Sequence, residues 1–286
     1  MTRLQIGLFG CAILLSGGTS AWAASAGAVV DYDLGTGYHA SYTDAATALG
    51  ETSRTTGHGW GTDPPLYLSN PYSNPWQPGD WVSVGQGGFI TLEMENYAVA
   101  LDDAPEINVL AFQQILQSNG QPWYDRQAVV SVSENGVDWH ALSGGTAISF
   151  DTPATGYVFA DSIPNVDGTP GGIDPDDLHL YQASDYGLPM PGTLDFSNAA
   201  SFEASRAEAY GLSGGGNWLD ISATGLAQAG YIRFDVPFDA PDFLALDAIY
   251  LNHDAVGAPV PEPATLALVA GGLAFVATRR RVRVER

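Results

Sequence analysis

Glycine, proline, asparagine and aspartate interrupt this chain about every ten residues, and few segments between the interruptions keep a 3.6-residue period. With 34 glycines and 18 prolines in 286 residues, long helices have little room, and the pattern predicts an all-β fold. In 89–95, Ile90, Leu92 and Met94 alternate with Thr91, Glu93 and Glu95, as in a strand with one buried face. Residues 107–112 form a continuous apolar strand. Segments 128–133 and 138–142 flank Glu134-Asn135-Gly136-Val137, where Asn-Gly predicts a type I′ hairpin turn. Two more strands, 231–236 and 243–251, are joined by a turn over 237–242. Residues 44–50 read as one helical turn and 199–210 as an irregular helix. The absence of an internal repeat disfavours a propeller or solenoid.

The two ends are organised differently. Met1-Thr2-Arg3, an apolar run over 4–15 and the small-x-small site Ala21-Trp22-Ala23 predict a signal peptide cut by signal peptidase after Ala23. The apolar run is too short for a membrane span, which needs roughly 20 residues. Cys11, the single cysteine, leaves with it, so an ectodomain over 24–257 relies on its core and not on disulfides. At the other end, 258–286, Pro259-Val260-Pro261-Glu262-Pro263 precedes an apolar run over 264–278, then Arg279, Arg280, Arg281 and Arg283. Pro261 and Pro263 confine helix formation to the residues after them, and the arginines obey the positive-inside bias, placing the ectodomain outside. A helix over 264–278 would span roughly 22 Å against a ~30 Å hydrocarbon core, suiting a transient transmembrane anchor.

This order of motif, short helix and arginine cluster resembles the PEP-CTERM signal of Gram-negative bacteria, carried by Pro261, Glu262, Pro263, Arg279, Arg280 and Arg281. The resemblance implies processing by a membrane-embedded exosortase, transient inner-membrane anchoring, and delivery to the cell surface or extracellular matrix of a bacterium that makes exopolysaccharide. Several ectodomain passages also resemble exported surface proteins with a galactose-binding-type jelly roll. They are Val84-Gly85-Gln86-Gly87-Gly88-Phe89-Ile90-Thr91-Leu92, Val130-Ser131-Val132-Ser133-Glu134-Asn135-Gly136-Val137-Asp138-Trp139, Asp220-Ile221-Ser222, Tyr231-Ile232-Arg233-Phe234 and Leu246-Asp247-Ala248-Ile249. The fold this implies is a jelly-roll β-sandwich.

Charge narrows the partners. The chain has no lysine, and six of its ten arginines lie in the terminal segments. Without those segments and their acids Glu262 and Glu285, four arginines face 30 acids, a net charge near −26 that repels nucleic acid and anionic lipid. Asn165, Asp167 and Asp174 form the densest run of oxygen ligands and are candidates for Ca2+. Ile163 at the first loop position and Pro164, Pro170 and Pro175 rule out an EF-hand. Asp247, in an apolar strand, is either buried, and then paired or metal-bound, or a partly exposed edge residue. The jelly-roll resemblance would bring Asp31 or Asp33 near it.

Trp60, Trp76 and Trp81, with Tyr67 and Tyr72, read either as a sugar-stacking surface or as loop aromatics capping the sandwich. No serine-hydrolase, zinc-protease or phosphate-loop motif occurs. Glu93 and Glu95 share a strand face, as a glycosidase pair would. The expectation is a non-enzymatic surface or matrix protein that binds carbohydrate and calcium, with no organic cofactor. The alternatives are a glycan-active enzyme and a purely structural scaffold.

Overall fold

A computed structural model describes residues 26–54, 69–159 and 181–260. The signal segment, Trp60, Tyr67, the Asn165–Asp167–Asp174 run and the tail from Pro261 lie outside them. The strands are β1 (Ala26–Asp33), β2 (Val82–Val84), β3 (Phe89–Val99), β4 (Ile107–Ala111), β5 (Gln127–Ser133), β6 (His140–Ala141), β7 (Ile148–Ser149), β8 (Tyr157–Phe159), β9 (Tyr181–Ala183), β10 (Asn217–Leu219), β11 (Gln228–Asp235), β12 (Leu244–Leu251) and β13 (Val256–Pro259). A 12-residue helix, α1 (Ala199–Tyr210), falls where the sequence predicts one. Asn198 caps it by accepting from Ser201 N–H at 3.0 Å, and Gly211, at φ 54°, ends it. Among the described residues no helix is long and apolar enough to cross a membrane.

The strands form two antiparallel sheets and a small β8–β9 ribbon. One sheet runs β1-β3-β11-β5-β6, with β13 also on β3 and β7 also on β5; the other runs β10-β4-β12-β2. Ile90, Leu92 and Met94 from β3, Val130 and Val132 from β5, and Ile232 and Phe234 from β11 pack in one buried cluster with Val82, Val84, Ile107, Val109, Leu244, Leu246, Ile249 and Leu251 of the second sheet. Two inner faces closing on a common core make the β-sandwich that the periodicity predicts. β4 and β12 read as continuous apolar runs because their outer faces are covered too: Leu110, Ala248 and Tyr250 pack against Ala154 and Tyr186.

Three local expectations change. First, strict alternation along 243–251 would set Asp247 on one face with Phe243, Ala245, Ile249 and Leu251, and the structure separates it from Ile249 and Leu251. Leu246 pairs with Ala111 and Ala248 with Leu110, so Asp247 is the extra residue of a β-bulge. The bulge inverts the alternation, sending Leu244, Leu246, Ile249 and Leu251 inward. Second, β5 and β6 pair through Val132 and His140, with a loop longer than a two-residue turn. Only Gly136 of the Asn-Gly pair has positive φ, at 74°. The loop is instead fastened by side chains: Ser133 Oγ accepts from Gly136 N–H at 3.0 Å, and Asn135 Oδ1 from Val137 and Asp138 N–H at 2.8 and 2.9 Å. Third, β13 reaches Pro259 and Val260 is 8% exposed, so the folded domain continues past residue 257.

The glycines of the Val84–Gly88 turn have a packing reason. A Cβ on Gly85 would lie 2.1 Å from Thr36 O, and one on Gly88 2.5 Å from Asp33 O. The turn between β2 and β3 therefore takes the end of β1 at backbone contact distance, where no side chain fits.

Candidate functional site

The loop after β4 is built around buried polar groups. Gln113, fully buried, uses its amide nitrogen to donate to the carbonyls of Tyr124 at 2.7 Å and Phe150 at 3.2 Å. Its oxygen accepts from Gln114 N–H at 3.0 Å and Tyr124 N–H at 3.1 Å. With Trp123 N–H donating to Gln114 O at 2.7 Å, 113–124 closes into a fixed loop that carries Trp123 and Tyr124 at its end.

Beneath lies Arg126, also fully buried. It donates from Nε to Phe112 O and from Nη1 to Phe243 O, both at 2.6 Å. Its guanidinium sits 4.2 Å from the centre of the Tyr124 ring and 4.5 Å from that of Phe243. Burial lowers its pKa to about 10, which leaves it charged at neutral pH. A cation under ring faces is attracted by their quadrupoles, so Arg126 fixes the aromatic floor it supports.

A cleft of about 470 Å³ opens above this floor, lined among others by Tyr72, Trp76, Phe112, Gln114, Trp123 and Tyr124. Trp76 and Trp123 are 43% and 58% exposed, high for indoles, and Trp123 stacks on Tyr124 with ring centres 6.1 Å apart. The Tyr42 hydroxyl donates to the Trp76 carbonyl and fixes that backbone. Tyr72, also in the lining, donates its hydroxyl proton to Glu203 of α1. Among the described residues the lining contains rings, amides, hydroxyls and the aliphatic side chains of Ile115 and Leu116, but no charged side chain. Such a surface can stack the apolar face of a sugar ring and hydrogen-bond its hydroxyls.

Of the tryptophans singled out from sequence, Trp76 is at this cleft, Trp60 lies outside the described residues, and Trp81 is elsewhere. Trp81 is 3% exposed and stacks on Tyr42 at 3.5 Å, on Phe112 at 5.3 Å and on Phe243 at 5.9 Å. It caps the sandwich and shows no face to a ligand. Sequence reasoning missed Trp123 and Tyr124. Their signal was an aromatic pair next to Gln121-Pro122, a polar turn unable to hide two large rings.

Asp247 is 7% exposed, and Thr52 donates its hydroxyl proton to Oδ2. Thr52 N–H donates in turn to Tyr250 Oη at 2.8 Å. Burial, the largest influence, pushes the Asp247 carboxyl up to about 8; the Thr52 bond opposes this and the Asp80 charge adds to it. The carboxylate whose charge acts on Asp247 is Asp80, while the expected neighbours Asp31 and Asp33 are exposed on β1, at the edge of the other sheet. One side-chain hydroxyl, that of Thr52, bonds this carboxyl, fewer than the six to eight oxygens that calcium takes. Among the described residues no three His, Cys, Asp or Glu side chains converge.

Two further carboxylate features have structural placements. Glu106, fully buried, accepts from Leu101 N–H at 2.6 Å and Ile221 N–H at 2.8 Å and so ties two loops together. Glu93 and Glu95 point outward from β3 and take no part in the cleft.

No curated protein matches the chain. Residues 259–281, by contrast, match a PEP-CTERM protein-sorting motif. Beginning on the last residue of β13, this motif marks the chain as an exported protein handled at the membrane through its carboxy-terminal tail.

Proposed function

We propose that this is a non-enzymatic cell-surface or matrix protein that binds neutral carbohydrate, such as an exopolysaccharide, after its tail has been sorted by exosortase. The observation that carries this reading is the cleft holding two half-exposed indoles, Trp76 and Trp123, above a floor pinned by buried Arg126. Its uncharged lining, in a domain carrying a large excess of acids, favours neutral sugar units and disfavours uronic acids. Hydrolysis of a glycoside needs two carboxyl groups about 5 to 10 Å apart across the bond, and the lining supplies rings and amides in their place. Calcium belongs to the proposal only through Asn165, Asp167 and Asp174.

Titration of tryptophan fluorescence with neutral and with uronic-acid oligosaccharides tests the proposal. Neutral oligomers should bind, and Trp123→Ala should weaken them about tenfold, the equivalent of about 1.4 kcal/mol of lost stacking. Failure of every neutral glycan to bind would leave the scaffold reading. Release of new reducing ends would establish the enzyme reading in its place.

A further inference from the structure

The last strand and the sorting motif are continuous, and the pairing of that strand bears on how the tail is processed. Along the outer edge of β3, β1 covers Phe89 to Met94, with Ala26 opposite Met94, and β13 covers the next stretch, with Pro259 opposite Asn96 and Val256 opposite Ala98. The two strands come from opposite ends of the chain, and Ala26 and Pro259 end up about 7 Å apart along one edge. Val260 continues the attachment: its N–H donates to Glu95 O at 3.0 Å and its side chain is 8% exposed. Pro261 comes directly after it.

Four residue steps separate Val260 from the apolar run that starts at Ala264, and fully extended they reach at most about 14 Å. A membrane enzyme acting at Pro-Glu-Pro therefore meets the folded domain within a residue or two of its motif. An extended segment is read through its own backbone groups, and those of β13 are already engaged by β3. The engagement is weak. Val256, Ala258 and Pro259 are exposed, the ladder is irregular between Val256 and Pro259, and β13 is four residues long. Segments with few buried contacts open locally at low cost.

We propose that β13 is a retaining strand which must leave the edge of β3 before the tail is processed, so that its pairing sets the processing rate. The proposal rests on the sorting reading of the tail. The test uses the full chain in membranes containing exosortase, with loss of the tail followed by gel mobility. Asn96→Cys with Pro259→Cys places two thiols on registered partners, in a chain whose other cysteine, Cys11, lies in the signal segment. The oxidised form should be processed at least fivefold more slowly than the same variant after reduction, a comparison that cancels any effect of the substitutions on motif recognition. In the opposite direction, Gly257→Val lies outside the motif and puts a Cβ 2.7 Å from Val99 Cγ2, displacing β13. It should speed processing at least twofold. Equal rates for the oxidised and reduced forms would overturn the retaining role alone. A wild-type chain that keeps its tail would overturn the sorting reading and this proposal together.

Discussion

Replacing Asp247 by asparagine should make the ectodomain more stable at neutral pH, by an amount that shrinks as the pH falls. In the folded protein burial holds this carboxyl up to about 8, whereas in the unfolded chain it titrates near 4. Between those values the folded state keeps a proton that the unfolded state has released. Stability is therefore greatest below the unfolded pKa and is lost as the pH rises towards the folded one, at about 1.4 kcal/mol per pH unit. From pH 4 to pH 7 the loss comes to about 4 kcal/mol. Asparagine cannot ionise and still offers Thr52 an acceptor oxygen. Urea unfolding of residues 24–260, wild type and Asp247→Asn, at pH 5, 6 and 7 measures the difference. It should widen by about 3 kcal/mol from pH 5 to pH 7. Any fixed cost of burying the amide is the same at each pH, so the slope carries the test. Parallel stability curves for the two proteins would refute the assignment of a buried, protonated Asp247.

Trp81→Ala should cost about 4 kcal/mol, because it removes the ring stacked on Tyr42, Phe112 and Phe243; a calorimetric loss below about 1 kcal/mol would show that the stack collapses without consequence. Glu106→Ala leaves the N–H groups of Leu101 and Ile221 unpaired and should cost about 3 kcal/mol by urea unfolding, with hydrogen exchange at both amides faster than in the wild type. If Asn165, Asp167 and Asp174 hold calcium, millimolar calcium raises Tm over the chelated sample and Asp167→Asn with Asp174→Asn abolishes the rise; equal Tm values in calcium and chelator would remove the site.

The periodicity of β3 was legible because Ile90, Leu92 and Met94 face one core while Glu95 is exposed and Glu93 half-buried. β4 and β12 were legible as strands, but their buried outer faces depend on Ala154 and Tyr186, residues distant in sequence with no pattern tying them to the sheet. The bulge at Asp247 was illegible for a related reason. A one-residue insertion leaves no mark in composition when the residues on both sides are apolar. Trp76 and Trp81 lie five residues apart in one polar stretch and look alike in sequence. Phe112 and Phe243 bury Trp81 from other parts of the chain, and among the described residues none does the same for Trp76. The tail was the most legible part, since its recognition depends on the order of residues along the chain and not on tertiary contacts.

The shared edge of β3 also orders events during export. β3 can take up β1 as soon as it has crossed the membrane, because β1 precedes it in the chain. Its far half, Asn96 to Ala98, must wait for β13, the last segment to emerge before the sorting tail. Completion of the sheet and arrival of the tail at the membrane thus coincide. A chain arrested or clipped before Val256 would carry an open strand edge next to a finished core.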